Sequence, residues 1–226
     1  MKVMVVIPAY NEEKNIFKVV QGVKDHYPEV DIVVINDGSR DNTGLEAERA
    51  GAFVINLTQN LGIGGAVQTG YIYANRKDYD VVIQIDGDGQ HNPKDLSKMI
   101  DAIAKDEVDM VIGSRFVKKT DYESSSIRKV GINFLSRFVS FVCKRDFYDT
   151  TSGYRAVNKK VIELFLWYYP RDYPEVETIV YALKRGVRIK EVSVDMDKRQ
   201  GGKSSITPLK SVYYMIKVTC AILLQP

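Results

Sequence analysis

A chain of 226 residues, 45% hydrophobic and 27% charged, is long and apolar enough to bury a sizeable core, which excludes a disordered segment or a disulfide-stapled miniprotein. Cys143 and Cys220 stand far apart in apolar stretches and form neither a metal-binding spacing nor a disulfide framework, so two reduced, mostly buried thiols and a cytoplasmic setting are expected. The net charge of +3 is unevenly spread: residues 198–226 hold Lys198, Arg199, Lys203, Lys210 and Lys217 with no acid, and residues 115–145 hold eight basic residues against Asp121 and Glu123, a concentration that suits nucleic acid or an anionic lipid surface alike.

The first apolar run, residues 3–7 before Pro8, is too short for a signal-peptide core and reads as a buried strand. Further β-branched runs at 31–35, 52–57, 81–85 and 109–112 alternate with helical patterns at 13–24, 43–50, 63–75 and 93–105, the last with Asn92 as N-cap and Pro93 at the first helical position. This alternation predicts βαβ units around a largely parallel sheet. After about Arg115 the rhythm changes to a long helix at 126–144, a strand at 187–194, a Gly/Ser-rich basic loop and a terminal helix. There is no internal repeat or linker, so a single domain over residues 1–226 is expected.

In open α/β sheets, ligands bind beyond the carboxyl ends of the strands. Here the first strand leads into Pro8-Ala9-Tyr10-Asn11-Glu12, the second into Asn36-Asp37-Gly38-Ser39 and the fourth into Asp86-Gly87-Asp88-Gly89-Gln90-His91. Asp-Gly is also a common turn dipeptide, and each motif alone reads equally as a polar turn. Two carboxylates one residue apart at the end of a buried strand nevertheless call for a positive partner, and their hard oxygens suit Mg²⁺ or Mn²⁺. Gly87 and Gly89 leave room beside them for a phosphate-bearing ligand. Asn60-Leu61-Gly62-Ile63-Gly64-Gly65 lacks the G-x-G-x-x-G spacing of a dinucleotide fingerprint and follows the third strand rather than the first. Its glycines would allow close backbone approach at a helix N-terminus.

Taken together, Pro8-Ala9-Tyr10-Asn11-Glu12-Glu13, Asn36-Asp37-Gly38-Ser39-Arg40-Asp41-Asn42-Thr43, Asn60-Leu61-Gly62-Ile63-Gly64-Gly65, Asp86-Gly87-Asp88-Gly89-Gln90-His91, Gly113-Ser114-Arg115-Phe116 and Thr151-Ser152-Gly153-Tyr154-Arg155 resemble, in order, the family 2 glycosyltransferases with a GT-A fold. Within them the match is to the dolichol-phosphate mannosyltransferase-like polyprenyl-phosphate glycosyltransferases. The family often has Asp-Ala-Asp where this chain has Asp86-Gly87-Asp88, a change that keeps both carboxylates and loosens the turn. The resemblance implies an α/β, Rossmann-like fold with a mixed, mostly parallel sheet, a nucleotide-sugar-binding half over 1–114, an acceptor-binding half over 115–205 and an amphipathic membrane-interface helix over 206–226. It places Pro8, Tyr10, Glu12, Asp37, Gly64 and Asp86 around a nucleotide diphosphate sugar bearing UDP or GDP. Asp88, Gln90 and Asp86 would hold Mg²⁺ or Mn²⁺, and Arg115, Arg128 and Arg199 would bind donor or acceptor phosphate. Guanidinium forks suit phosphate because they bond two oxygens at once. His91 is expected to be a structural turn residue. Asp149 is either an orienting group or an ion-pair member, and Glu177 either a sugar contact or an ion-pair member.

Residues 126–144 place Ile127, Val130, Phe134, Phe138, Phe141 and Val142 on one stripe flanked by Arg128, Lys129, Arg137, Lys144 and Arg145. The terminal segment repeats Leu209, Val212, Tyr213, Ile216, Cys220 and Leu223 beside Lys210 and Lys217. Either stripe could pack on the sheet, but two basic amphipathic helices together suit an anionic membrane surface. The last apolar run is too short to cross a bilayer, which takes about 20 residues. Peripheral attachment at the cytoplasmic face is therefore expected, with a small membrane-protein partner plausible from the resemblance and no nucleic acid. The alternatives are transfer to a polysaccharide or glycan hydroxyl, which would demand a carboxylate base such as Asp149, and a non-catalytic nucleotide-sugar or lipid-binding scaffold.

Overall fold

The computed structural model describes residues 1–105, 108–117, 126–196 and 208–224, and the side chains of 126–130 and 208–213 lie outside that description. In chain order the elements are β1 (Val3–Ala9), α1 (Ile16–His26), β2 (Asp31–Asn36), α2 (Thr43–Arg49), β3 (Phe53–Asn56), α3 (Gly62–Arg76), β4 (Val81–Gln84), α4 (Leu96–Ala104), β5 (Met110–Ser114), α5 (Ser126–Cys143), β6 (Arg155–Asn158), α6 (Lys159–Trp167), α7 (Pro174–Leu183), β7 (Ile189–Ser193) and α8 (Pro208–Leu224). The strands make one sheet ordered β3-β2-β1-β4-β6-β5-β7. Within it β3, β2, β1 and β4 are parallel, β5 and β7 are parallel, and β6 runs antiparallel to both β4 and β5. The mixed, mostly parallel α/β sheet expected from the sequence is the one observed.

Alternation along β1 shows how the core forms. Met4 and Val6 enter one apolar layer with residues of α3, α5, α6, α7 and α8, while Val5 and Ile7 enter the other with α1, α2 and α4. A strand buried on both faces needs a continuous apolar run, and β1 and β4 have one. β6 does not: its four residues begin with the fully buried Arg155, so hydrophobic patterning passes over it. Helices α6 and α7 were likewise not anticipated. Their local cues are the Asn158 side chain accepting from the Val161 N–H at 3.2 Å, and Pro174 in the first turn of α7 with Glu175 and Glu177.

Two other expectations, the start of the fourth helix and the burial of the thiols, are revised, and the apolar stripes of the long helices are refined. The helix expected at 93–105 opens as a 3₁₀ turn over Pro93–Asp95, with Asn92 accepting from the Lys94 N–H at 3.1 Å, and becomes α-helical only at Leu96. On α5 the buried face is Ile132, Leu135 and Val139, and the apolar stripe read from the sequence divides: Phe134 and Phe141 are exposed, as a membrane-facing stripe requires, and Phe138 and Val142 are half-buried against the core. On α8, Val218 and Ile222 are buried, whereas Ile216, Cys220, Leu223 and Leu224 of the other face are exposed. Cys220 is thus not buried, and Cys143 is half-buried, its thiol pushed up by burial against the opposing charge of Lys184. Among the described residues, no helix is long and apolar enough to cross a membrane.

Candidate active site

The carboxyl ends of the parallel strands and the start of β6 meet at one edge of the sheet, because the β6 register pairs Arg155 with both Gln84 at the end of β4 and Ile112 in β5. The loop over 149–154 is thereby delivered to the same crevice as the turns after β1, β2 and β4. Pro8 stands where its missing N–H costs no ladder bond. Ile85 N–H donates to Val6 O, so the backbone of Val6 and, two residues on, of Pro8 faces the β4 side, where β4 has already ended at Gln84.

The turns after β1 and β2 lock together. Asn11, in a left-handed conformation at φ 56°, donates from its N–H to Ser39 Oγ at 3.0 Å and accepts from the Arg40 N–H at 2.9 Å. Glu12 accepts from Asn15 Nδ2 at 2.7 Å, and its own N–H donates to Thr43 Oγ1 at 2.8 Å. Tyr10 is 45% exposed at the mouth. Asp37 is buried, and its carboxylate accepts from the N–H groups of Leu61 at 2.7 Å and Gly62 at 3.0 Å, so it anchors the positive end of α3. Gly38 between them has φ +66° and lies so close to Asn60 N that a Cβ would approach to 2.8 Å.

Gly64 does permit close backbone approach, but the visitor is the chain itself. A Cβ there would lie 1.9 Å from Pro170 O, and the Gly64 N–H donates to Arg171 O at 2.9 Å. Arg171 Nε in turn donates to Leu61 O at 3.1 Å. The neighbouring Asp172 pairs with Lys217 of α8, and Tyr173 packs on Tyr214 with ring centroids 4.4 Å apart.

The turn after β4 holds the acidic pair. Asp86 keeps a carboxylate that is 38% exposed, and Asp88 Oδ1 accepts from the Gln90 N–H at 3.1 Å. A Cβ on Gly153 would come within 3.0 Å of both Asp86 oxygens, so this glycine brings the 151–155 motif against the carboxylate. Two carboxylates and the amide oxygen of Gln90 form an all-oxygen donor set that fits a hard divalent ion. Among the described residues, no group of three or more His, Cys, Asp or Glu side chains could hold an ion unaided.

Arg115 and Asp149 form a buried pair, with Nε donating to Oδ2 and Nη2 to Oδ1, both at 2.6 Å, the Arg115 N–H donating to Oδ2 at 3.1 Å, and Nη2 also reaching Thr151 Oγ1 at 2.9 Å. The structure therefore places Arg115 against a carboxylate at the end of β5. Arg155, missed as a functional position, ties the crevice together from below: Nε donates to Ser152 O at 2.9 Å, Nη1 to Thr178 Oγ1 at 2.6 Å, and Nη2 to Thr150 O at 3.3 Å and to Glu175 O. Glu175 is pushed up to about 7, chiefly by burial, with Arg155 opposing and Asp86 and Glu177 adding to the rise. Glu177 is buried and also raised by burial, against the charge of Lys217. Arg128, Arg199 and the basic loop over 198–205 lie outside the described side chains and residues.

Residues 4–165 match the family model described as glycosyl transferase family 2. The chain belongs to that family. It is therefore a glycosyltransferase, and the resemblance carried by its strand-end motifs is confirmed. Polyprenol monophosphomannose synthase of Mycolicibacterium smegmatis is 30% identical over 96% of this chain and 85% of its own length. The UDP-N-acetylglucosamine–dolichyl-phosphate N-acetylglucosaminyltransferase of Methanococcus voltae is 31% identical over 85% of this chain and 84% of its own. Among solved structures, glucosyl-3-phosphoglycerate synthase of Mycobacterium tuberculosis, crystallised with Mn²⁺, UDP and phosphoglyceric acid, superposes with a TM-score of 0.76 at 19% identity, over 99% of this chain and 77% of that one. This last likeness is one of fold.

Proposed function

We propose that this glycosyltransferase is an inverting, metal-dependent enzyme that moves a sugar from a nucleotide diphosphate sugar to a polyprenyl phosphate at the cytoplasmic face of a membrane. Relatives named for polyprenol and dolichyl phosphate support the acceptor class. The observation that carries the reading is the state of Asp149. A hydroxyl acceptor needs a base, and this carboxylate is wholly buried and already accepts three bonds from Arg115. A phosphate acceptor is largely ionised near neutral pH, so its oxygen needs positioning and no base.

Asp86, Asp88 and Gln90 would hold Mg²⁺ or Mn²⁺, which would offset the charge that develops on the departing diphosphate. The turns at Tyr10–Glu12 and Asp37 line the nucleotide, with Asp37 also fixing the start of α3. Arg128 and Arg199 would hold the acceptor phosphate, and Arg115 is held by Asp149 just after β5. Attack by the phosphate oxygen on the anomeric carbon, opposite to the leaving group, inverts its configuration. The exposed Phe134, Phe141, Ile216, Leu223 and Leu224, beside the basic Arg137, Lys144 and Arg145, suit an anionic bilayer surface.

Incubating the chain with a panel of UDP- and GDP-sugars, a polyprenyl phosphate, a soluble glycan and Mg²⁺ or Mn²⁺, then weighing the lipid and the glycan by mass spectrometry, tests this directly. A glycosyl-phospholipid should form with one donor. Transfer only to a glycan hydroxyl, or nucleotide-sugar binding without transfer, would replace the reading by a polysaccharide-directed enzyme or a binding scaffold.

A further inference from the structure

We propose that His91 is a positioning residue for the Asp86-Gly87-Asp88 turn, setting the geometry of the two carboxylates without touching substrate or ion. This rests on the metal-dependent donor site proposed above. The need arises where the ladder stops: β4 ends at Gln84, Ile85 N–H is taken by Val6 O, and the next amide, that of Asp86, donates to a side chain instead, His91 Nδ1 at 3.0 Å. An amide left unpaired at such a place would be costly.

That bond also fixes the ring's chemistry. Nδ1 is the acceptor and so carries no proton, which leaves the proton of the neutral imidazole on Nε2. Nε2 faces Asp86 Oδ2 at 3.7 Å, so one ring meets both the backbone and the carboxylate of the same residue. A nitrogen bearing a proton has no lone pair for an ion, which makes His91 a support for the donor set and not a member of it.

The ring is held on its other sides. Its side chain is 2% exposed and stacks on Tyr154 with centroids 4.8 Å apart at 24°, and the Tyr154 hydroxyl donates to Asn92 O at 3.3 Å. The His91 backbone forms an antiparallel bridge with Met196, which lies just before the basic loop over 198–205. Gly153 lies so near the Asp86 carboxylate that a Cβ there would come within 3.0 Å of both oxygens. Asp86 thus meets both an imidazole and a glycine, and a small rotation of the turn would move both Asp86 and Asp88.

Three substitutions separate positioning from packing. His91→Asn puts an amide oxygen close to the place of Nδ1, His91→Gln puts one near Nε2, and His91→Phe keeps the stack on Tyr154 with no acceptor. The readout is calorimetric binding of UDP and GDP with and without Mn²⁺, alongside thermal melting. Outer-shell partners of metal ligands typically govern about 10- to 100-fold in metal affinity. We expect Phe and Gln to weaken Mn²⁺-dependent nucleotide binding by about tenfold or more, and Asn to restore it to within about threefold, with metal-free nucleotide binding alike in all. Should the Phe variant fail to fold, the contrast between Asn and Gln decides. A Phe variant that binds the Mn²⁺–nucleotide pair as the wild type does, or an Asn variant as weak as Gln, overturns the inference alone. Wild-type nucleotide binding that is indifferent to Mn²⁺ overturns the donor-site reading, and this inference with it.

Discussion

Replacing Asp149 by Asn should unfold this protein more readily while leaving its chemistry nearly intact. The carboxylate has no exposed surface, its partner Arg115 is 4% exposed, and it accepts from Arg115 Nε, Nη2 and N–H at 2.6, 2.6 and 3.1 Å and from Thr151 Oγ1 at 3.2 Å. Removing one member of a buried pair costs about 3–5 kcal/mol, because the other charge is left uncompensated. Asparagine keeps the shape and one acceptor oxygen but turns an N–H₂ toward a guanidinium N–H, so the loss belongs near the lower bound, about 3 kcal/mol. For a chain of this length that lowers the melting temperature by about 6–12 °C. Urea denaturation of the wild type, Asp149→Asn and the double variant Arg115→Met/Asp149→Leu measures it, and the double variant should recover much of the loss because both charges are gone. Turnover per folded molecule of Asp149→Asn should stay within about tenfold of wild type. Loss of a general base instead removes about 10²–10⁴-fold in rate. Unchanged stability with turnover down by that much would refute the structural assignment and favour a hydroxyl acceptor.

Asp88→Asn should fold normally and lose nearly all turnover, since a metal-bound charge contributes to the reaction far more than a half-exposed turn residue contributes to packing; a folded variant fully active in excess chelator would remove the metal role. Glu175 holds its proton more tightly in the fold than in the unfolded chain, its pKa rising from 4.5 to about 7, so its ionisation favours unfolding. Stability measured in chelator should therefore fall from about pH 4.5 to pH 7 in the wild type and fall less in Glu175→Gln; parallel profiles would show that Glu175 is solvated. Vesicles containing anionic lipid should sediment the chain at low salt and less at high salt, and Phe141→Ser with Leu224→Ser should weaken binding at both, each buried apolar side chain being worth about 1.5–3 kcal/mol. Point variants suit this test because Val218 and Ile222 of the same helix belong to the core; indifference of the intact chain to vesicles at either salt concentration would make the exposed aromatics ordinary surface.

The strand ends were legible because each follows an apolar run that breaks on Asp, Asn or Gly, as at Asn36-Asp37-Gly38 and Asp86-Gly87-Asp88. β6 was not, since a strand whose first side chain is a buried arginine has no hydrophobic signature; Arg155 is tolerated there only through bonds to Thr150, Ser152, Glu175 and Thr178, distant residues that spacing does not connect. The same limit hid the partner of Arg115, 34 residues away in sequence. It hid the Pro170–Arg171 backbone on Gly64 as well: the glycine announces a close approach without naming what approaches. Helical spacing found α5 and α8 and the apolar stripes from which Phe134, Phe141, Ile216 and Leu223 stand exposed, but not the second apolar face, Ile132, Leu135, Val139, Val218 and Ile222, that is buried. Both carry apolar residues on two sides, and a stripe counted in sequence does not say which side the sheet takes.

The nucleophile proposed for this enzyme is a phosphate oxygen that needs no base. Its most direct measurement offers one nucleotide sugar and Mn²⁺ together with a polyprenyl phosphate, the same polyprenol without its phosphate, and a soluble glycan, and follows each product by mass and the new anomeric centre by NMR. Transfer to the polyprenyl phosphate alone, with inverted configuration, is expected. Equal glycosylation of the free polyprenol or of the glycan would contradict it.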